Sequence, residues 1–122
     1  MKLKNIQDSA CLGYDLTVWP DDIIPCPIWL NCTDERTNFI LHPNGKLSAE
    51  ELGENGYLKV IAEEGMTSHK VNMDKNDSFS SVFKLVPIEW NVYLVYTTVQ
   101  AETYCLTASS DNEWRDSFPN LD

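Results

Sequence analysis

The chain has two histidines, His42 and His69, the only side chains whose ordinary pKa lets them exchange protons near neutral pH. A serine or cysteine nucleophile needs such a base beside it, and the Gly-x-Ser-x-Gly motif of many serine hydrolases is absent. His42 precedes Pro43 in a turn-forming stretch, where an exposed imidazole is ordinary. His69 alternates with Val71 and Met73, which favours a satisfied core or boundary histidine, although a thiol–histidine pair stays an alternative. The sequence therefore predicts a protein that is not an enzyme.

Metal and phosphate sites have characteristic spacings, which this sequence lacks. Cys26 and Cys32 are six positions apart, which is too far for the close ligand pairs of a zinc site. Asp74, Asn76 and Ser78 share the alternate spacing of a calcium loop, but the glycine and the final glutamate of such a loop are missing. Neither of the glycine-rich phosphate-binding motifs occurs. We therefore expect no metal and no cofactor.

The cysteines bear on the cellular compartment. Cys11, Cys26, Cys32 and Cys105 permit two disulfides in three pairings. The two N-terminal lysines are followed by polar residues instead of the apolar run of an export signal, and no apolar run approaches the roughly 20 residues of a membrane span. Because disulfides are rare in the cytoplasm, we expect reduced, mostly buried thiols in a cytoplasmic protein.

Acidic residues outnumber basic residues by 19 to 9, so the 122-residue chain carries a net charge of −10. This charge argues against direct binding of nucleic acid, which needs a cationic face to displace counterions from phosphate. It also argues against docking on an anionic membrane. A small domain needs a net charge of only about 2–8 for solubility, and a larger one costs stability through self-repulsion. One use of such a field is to steer and hold a cationic protein partner.

The candidate partner-binding residues are acids near turn signals and an acidic segment around a tryptophan. Any single pair of acids is explained as well by a solvated surface, so the prediction depends on the total charge. Trp114 is flanked by acids, as an interface anchor with a charged rim would be, or it folds back as a lid over one end of a barrel. Trp90 lies beside Asn91 at a predicted turn. Whether the two groups form one surface is left open. The predicted residues are Glu50, Glu51, Glu54, Glu63 and Glu64 in the first group, and Asp111, Glu113, Trp114 and Asp116 in the second.

The fold class follows from short runs of β-branched and aromatic residues that are separated by Pro, Gly and Asn. We count about seven or eight strands, which is typical of an all-β antiparallel sandwich or small barrel with at most one or two helical turns. Residues 91–99 are apolar on both faces, which indicates a central strand. Residues 1–122 are expected to form a single domain with a frayed tail from about residue 118.

Two local patterns predict how the middle of the chain folds. The apolar run 38–42, followed by the turn residues 43–45, predicts a β-hairpin. Ser48 and Glu51 have the spacing of a capping box, which predicts a helical turn that ends at Gly53.

The leading functional hypothesis is a small acidic inhibitor that neutralises a basic partner, as an immunity protein neutralises a nuclease toxin or a nucleic-acid mimic blocks a defence nuclease. The alternative is a β-sandwich module that binds a carbohydrate or another small ligand, and a further one is a virion or assembly subunit. Salt distinguishes these hypotheses, because binding to a basic partner weakens as ions screen the charges. A sugar-binding module depends little on salt, and an assembly subunit associates with itself. The oligomeric state is left open.

Overall fold

The computed structural model describes residues 1–5, 7, 9–19, 22–61, 69–76, 80–99, 101–108 and 119–121. Their regular structure is almost entirely β-strand, with two short 3₁₀ turns at Glu35–Thr37 and Gly53–Asn55, which confirms the all-β class. The described residues contain eleven strands, more than the seven or eight expected, and seven of them have five residues or more. The strands are β1 (Lys2–Leu3), β2 (Cys11–Trp19), β3 (Asp22–Leu30), β4 (Phe39–Leu41), β5 (Leu47–Ala49), β6 (Tyr57–Ile61), β7 (His69–Asp74), β8 (Lys84–Glu89), β9 (Val92–Val99), β10 (Glu102–Ala108) and β11 (Pro119–Leu121).

Most of the strands form a sheet that closes on itself like a barrel. The strand order is β1-β9-β10-β11-β7-β6-β5-β4, in which β1 and β10 pair with the same edge of β9, and β8 pairs with its opposite edge. Met1 and Phe39 exchange two backbone hydrogen bonds, each of 3.0 Å. Because Met1 precedes β1 and Phe39 begins β4, these bonds join the two ends of the strand order. Closure of this kind satisfies backbone groups that an open sheet would leave at its edges.

A separate long hairpin, formed by β2 and β3, packs beside the barrel. The two strands pair along their whole length, from Cys11 opposite Leu30 to Trp19 opposite Asp22. Cys32 follows β3 directly, so the hairpin brings it to Cys11, with the two Cα atoms 4.9 Å apart, and the cysteines form a disulfide. The expectation of four reduced thiols is therefore wrong for this pair. Cys26 and Cys105 are not joined in a disulfide, and both are half-buried.

The core lies inside the closed sheet and under the long hairpin. Strand β7 shows the alternation that the sequence predicts: His69, Val71 and Met73 are buried, and the residues between them are exposed. His69 is 2% exposed and meets the ring of Tyr104 edge-on at 4.9 Å, which confirms it as a core histidine. The largest fully buried side chains include Leu3, Leu12, Phe39, Leu47, Leu58, Val95 and Leu106.

The predicted hairpin at residues 38–47 is confirmed, with β4 and β5 as its strands. Gly45 adopts a φ of +86°, which a residue with a Cβ rarely tolerates, so the glycine permits the tight turn. The predicted capping box is wrong. Ser48 is buried within β5, and its Oγ lies 2.8 Å from Nε2 of His42, so it cannot cap a helix. The helical turn forms later, and Gly53, left-handed at φ +55°, begins it instead of ending it.

Strand β9 is a central strand, as residues 91–99 predict. It pairs with β8 on one edge and with β1 and β10 on the other. Residues 119–121, within the tail that the sequence analysis expects to be frayed, form β11 between β10 and β7. The division of the chain into domains stays a prediction.

Candidate functional site

Three turns come together at one end of the barrel, and hydrogen bonds connect them. The backbone N–H of Glu50, in the turn after β5, donates to the carbonyl of Asn38, just after the first 3₁₀ turn, at 2.9 Å. The N–H of Lys2 donates to the carbonyl of Asn91, in the turn between β8 and β9, also at 2.9 Å. The Lys2 ammonium reaches Oγ1 of Thr37, in the first 3₁₀ turn, at 2.7 Å. The N-terminal strand therefore holds the three turns in one neighbourhood.

These turns and the adjacent strand β2 carry a group of carboxylates that we call the acidic rim. Five of its six members are exposed, and Asp34 is half-buried. The described residues contain three salt bridges, and Arg36 is the only cation that pairs with rim residues, at 2.9 Å to Asp34 and 3.4 Å to Asp15. The glutamates of the rim are exposed and form no salt bridge with a described residue, although the charge of Glu50 interacts with the N-terminal ammonium of Met1. The acidic rim consists of Asp15, Asp34, Glu35, Glu50, Glu51 and Glu54.

Asp34 organises the first turn of the rim. Its Oδ1 accepts from the backbone N–H of Arg36 at 2.9 Å and from Nε of the same residue at 3.1 Å, and its Oδ2 accepts from Nη2 at 2.9 Å. The hydrogen bonds from the Arg36 side chain lower the pKa of Asp34 to about 2. Asp34 therefore stays ionised at any physiological pH and fixes the turn that presents Glu35.

Gly13 lets this turn lie close against β2. A Cβ at Gly13 would be 2.6 Å from Cδ1 of Leu30 and 3.0 Å from the carbonyl oxygen of Arg36. Any larger residue would have to move the Leu30 side chain and would crowd the Arg36 carbonyl, so the close approach of the first 3₁₀ turn favours glycine here.

Glu51 connects the second turn to the long hairpin. Its Oε2 accepts a hydrogen bond of 2.8 Å from the hydroxyl of Tyr14 in β2. Tyr14 is 5% exposed, and burial together with the bond to Glu51 raises its pKa to about 12. The Tyr14 hydroxyl therefore stays protonated well above neutral pH, and its hydrogen bond holds Glu51 in one orientation.

Trp90 stands at the tip of the β8–β9 hairpin, in the third turn. It is 91% exposed, and Asn91 after it adopts φ +59°, a turn conformation that Asn tolerates. Val86 and Ile88 of β8 are also exposed, at 38% and 44%, so the tryptophan continues an apolar strip. A tryptophan so exposed beside a charged surface has the features of an interface anchor.

The sequence-predicted residues have different outcomes. The structure brings Glu50, Glu51 and Glu54 together in the turn between β5 and β6. Sequence reasoning missed Asp15, because only its contact with Arg36 across the fold places it in the rim. The acidic pair at positions 34–35 was a visible signal for two further rim residues. Glu63, Glu64, Asp111, Glu113, Trp114 and Asp116 lie outside the described residues, so their role stays a prediction.

The opposite end of the barrel contains a cleft of about 770 Å³. Its described lining consists of Val60, residues 81–84, residues 96–99 and Thr103. Lys84 is the one charged residue among them, so the cleft differs in charge from the acidic rim.

Among the described residues, a histidine and a serine hydroxyl lie side by side near the β4–β5 turn. His42 and Ser48 form a hydrogen bond of 2.8 Å, but Ser48 is 1% exposed, and the His42 ring stacks on Tyr57 at 4.9 Å. A substrate could not reach this hydroxyl, so the pair is structural. Among the described residues, no three His, Cys, Asp or Glu side chains are grouped to hold a metal ion.

Comparison with known proteins gives no relative: no protein-family model, curated protein or solved structure matches this chain. In the part of the chain that the structure describes, no helix is long and apolar enough to cross a membrane.

Proposed function

We propose that the protein is an acidic inhibitor that binds a basic protein through the acidic rim and Trp90. The observation that supports this most directly is the convergence of six carboxylates from separate parts of the chain at one end of the barrel. Four of them form no salt bridge with a described residue, although the N-terminal ammonium of Met1 is close enough to Glu50 for their charges to interact. Like charges placed together repel one another, and a cationic surface that docks on them relieves this repulsion.

The rim is preorganised for such a partner. Asp34 is fixed by Arg36, and Glu51 is fixed by the Tyr14 hydroxyl. Side chains that are already held lose little conformational entropy on binding, so more of the interaction energy appears as affinity. We therefore expect the partner to present Lys and Arg residues that match a rigid acidic surface.

Trp90 adds the apolar contact that charge alone does not supply. Long-range attraction mainly raises the rate of association, whereas a desolvated aromatic anchor slows dissociation. The proposed partner therefore has an apolar pocket bordered by basic residues, as the substrate cleft of a nuclease has where it grips an anionic chain and its bases.

The test is capture of the partner with a pair of charge-matched variants. Wild-type protein, Glu50→Lys and Glu102→Lys serve as baits in lysate of the native cells, and bound proteins are identified by mass spectrometry. Both substitutions change the net charge equally. Glu102 is an exposed glutamate of β10, and its carboxylate accepts a hydrogen bond of 2.9 Å from the Tyr104 hydroxyl. We expect one basic protein on the wild-type and Glu102→Lys baits, and much less on Glu50→Lys.

The captured protein is then purified and assayed for nuclease or another nucleic-acid-processing activity, with and without the inhibitor. Loss of activity at a stoichiometric ratio supports the proposal. Equal capture by the two lysine variants would contradict the acidic rim as the binding surface. Capture of the bait alone would contradict the proposal and favour the assembly hypothesis.

The cytoplasmic location stays a prediction, and the Cys11–Cys32 disulfide would be unusual in that compartment. Rapid alkylation of the native cells, followed by mass spectrometry of the peptides around Cys11 and Cys32, measures the redox state of this pair directly.

A further inference from the structure

The Cys11–Cys32 disulfide lies at the base of the long hairpin, next to the first turn of the acidic rim. Cys11 begins β2, and Cys32 lies just beyond β3. The carbonyl of Cys32 accepts a hydrogen bond of 3.3 Å from the hydroxyl of Thr37, and the N–H of Asp34 donates to the carbonyl of Asn31 at 2.9 Å. Cys32 therefore belongs to the same hydrogen-bonded loop, residues 31–38, as the rim residue Asp34.

An ion pair, close packing and the disulfide hold this loop against β2. The ion pair joins Arg36 to Asp15 at 3.4 Å and is largely exposed, so it contributes little on its own. The bonds from Arg36 to Asp34 and from Thr37 to the Asp34 carbonyl lie within the loop. If the disulfide is cleaved, the loop can therefore keep its own shape and still move away from β2.

The disulfide also holds the segment that precedes β2. Ser9 has a φ of +63°, a conformation that residues other than glycine adopt rarely, and its carbonyl oxygen lies 3.4 Å from Sγ of Cys32. Such a conformation persists where the surrounding structure enforces it. Cleavage therefore allows Ser9 to relax, beside the loop that carries the rim residues.

The two cysteines differ in their accessibility to a thiol from solution. Cys11 is 0% exposed, whereas Cys32 is half-buried. Exchange begins when a thiolate attacks one of the two sulfurs, and access influences which one. Sγ of Cys32 is therefore the sulfur that an external thiolate attacks, and Sγ of Cys11 is the leaving group.

Reduction by a dithiol then proceeds by two exchanges. One thiolate of the reductant bonds to Sγ of Cys32 as the disulfide breaks, and the Cys11 sulfur leaves and takes a proton. The second thiolate of the reductant displaces Cys32, which also takes a proton. The protein gains two electrons and two protons, and the reductant becomes a cyclic disulfide. The reverse exchange with an oxidised dithiol restores the bond.

The core of the barrel has contacts that do not involve this bond. Leu47, Leu58, Val71 and Val95 pack inside the closed sheet, and β2 and β3 pair along their whole length. We therefore expect a folded barrel after reduction. In the cytoplasm, the predicted location, disulfides are usually transient and redox-sensing.

We propose that the Cys11–Cys32 disulfide is a redox switch for the acidic rim, and that its reduction by a dithiol releases the loop that carries Asp34 and Glu35. The release of the loop is a property of the protein alone, whereas its effect on partner binding rests on the proposed function. A rigid surface loses less conformational entropy on association, so the oxidised form binds the basic partner more tightly.

The first measurement compares the oxidised and reduced protein by NMR and hydrogen exchange, without a partner and with dithiothreitol as the dithiol. We expect shift changes and faster exchange at residues 9–15 and 31–38, and little change in β6 and β7. Cys11→Ala/Cys32→Ala should resemble the reduced form and ignore dithiothreitol. Cys26→Ser/Cys105→Ser is the matched control and should respond as the wild-type protein does, because neither residue is in a disulfide.

Glutathione, a monothiol, traps the first exchange as a mixed disulfide, and mass spectrometry locates it. We expect the adduct predominantly on Cys32. A predominant adduct on Cys11 would contradict the assigned direction of attack.

The second measurement is the affinity of the captured partner for the oxidised protein, the reduced protein and Cys11→Ala/Cys32→Ala. The last two should bind about tenfold more weakly than the first. The double variant needs no reductant, so it separates a change in the rim from any effect of dithiothreitol on the partner.

Unchanged signals at residues 31–38 on reduction would overturn the switch. Global unfolding would overturn it too, because the bond would then be a structural staple. Equal affinity of the oxidised and reduced forms for the captured partner would overturn the switch and leave the proposed function in place. If no form captures a basic protein, the proposed function is contradicted, and the NMR comparison still shows whether the loop responds to reduction.

Discussion

The two ends of the barrel present surfaces of opposite character. At one end, the acidic rim surrounds the turns that also carry Trp90, and Arg36 is the single cation that pairs with it. At the other end, the cleft is lined by apolar and uncharged polar residues, and Lys84 is its one charged described residue. The rim contains six of the 19 acidic residues of the chain. A binding function can thus be tested at one end while the other serves as the control.

The largest expected effect concerns the disulfide that holds the hairpin bearing Tyr14 and Asp15. Its cysteines are 21 positions apart, and cross-linking a loop of this length stabilises a protein by about 3 kcal/mol. We expect the double variant Cys11→Ala/Cys32→Ala to lower the free energy of unfolding in urea by about this amount.

A reductant provides the control for this prediction. It should destabilise the wild-type protein to the same degree and leave the double variant unchanged. Hydrogen exchange should rise at residues 11–16 and 34–38 before it rises at the cleft. Uniform loosening of both ends would show that the hairpin does not support the rim selectively.

A substitution at Gly13 should disturb the end of the barrel that carries the acidic rim more than the end that carries the cleft. Gly13→Ala places a methyl group 3.0 Å from the carbonyl oxygen of Arg36, and overpacking of this kind costs about 2 kcal/mol. We expect thermal unfolding to report the loss, and NMR shifts to concentrate at residues 34–38. Gly53→Asn is a fitting control, because no atom lies within 4 Å of a Cβ there and Asn tolerates the left-handed φ. A similar loss in both variants would contradict the close-packing explanation.

Trp90 should matter for binding and not for stability. Removal of a 91% exposed side chain leaves no cavity, so Trp90→Ala should keep the melting temperature of the wild-type protein. Its affinity for the captured partner should fall about tenfold, mainly through faster dissociation. Val82→Ala, an exposed apolar residue of the cleft, is the control, and surface plasmon resonance measures both rates. Equal dissociation rates for the two variants would remove Trp90 from the interface.

The smallest expected effect is on the alkaline titration of Tyr14, which donates a hydrogen bond to Glu51 of the rim. The pKa of Tyr14 is raised to about 12, so folding favours its protonated form. The corresponding stability is fully present below pH 10, the ordinary pKa of tyrosine, and is lost as the pH rises towards about 12. The pKa values of Tyr57, Tyr96 and Tyr104 are also raised, so tyrosinate absorbance of the wild-type protein should show a late component that Tyr14→Phe diminishes.

Glu51→Gln should lower the pKa of Tyr14, because the carboxylate bond and charge both contribute to its shift, whereas Glu54→Gln should not change it. An unchanged late component in Glu51→Gln would show that burial alone causes the shift.

Much of the fold could be predicted from local patterns, because they act over a few residues. The turn at residues 43–45 and the alternation of β7 were read from residue types alone. The capping-box prediction is wrong because Ser48 belongs to β5, where its hydroxyl forms a hydrogen bond with His42. The disulfide was missed because it depends on strand register, which brings Cys32 to Cys11 only after β2 and β3 have paired.

The candidate site shows the same division between local and long-range information. Glu50, Glu51 and Glu54 are close in sequence, so a turn signal was enough to group them. Asp15 and Trp90 enter the site only through strand pairing and through the bonds of Lys2 to Asn91 and Thr37. No short-range pattern in the sequence predicts these contacts between distant residues.

The most direct test of the acidic rim is the salt dependence of affinity for the captured partner in Glu50→Lys and Glu102→Lys. Both variants have the same net charge, so a difference between them reports position alone. The account predicts that Glu102→Lys weakens with salt as steeply as the wild-type protein, while Glu50→Lys binds at least about tenfold more weakly with a shallower dependence. Identical affinities and slopes for the two variants would show that only total charge matters and would contradict the rim as the binding surface.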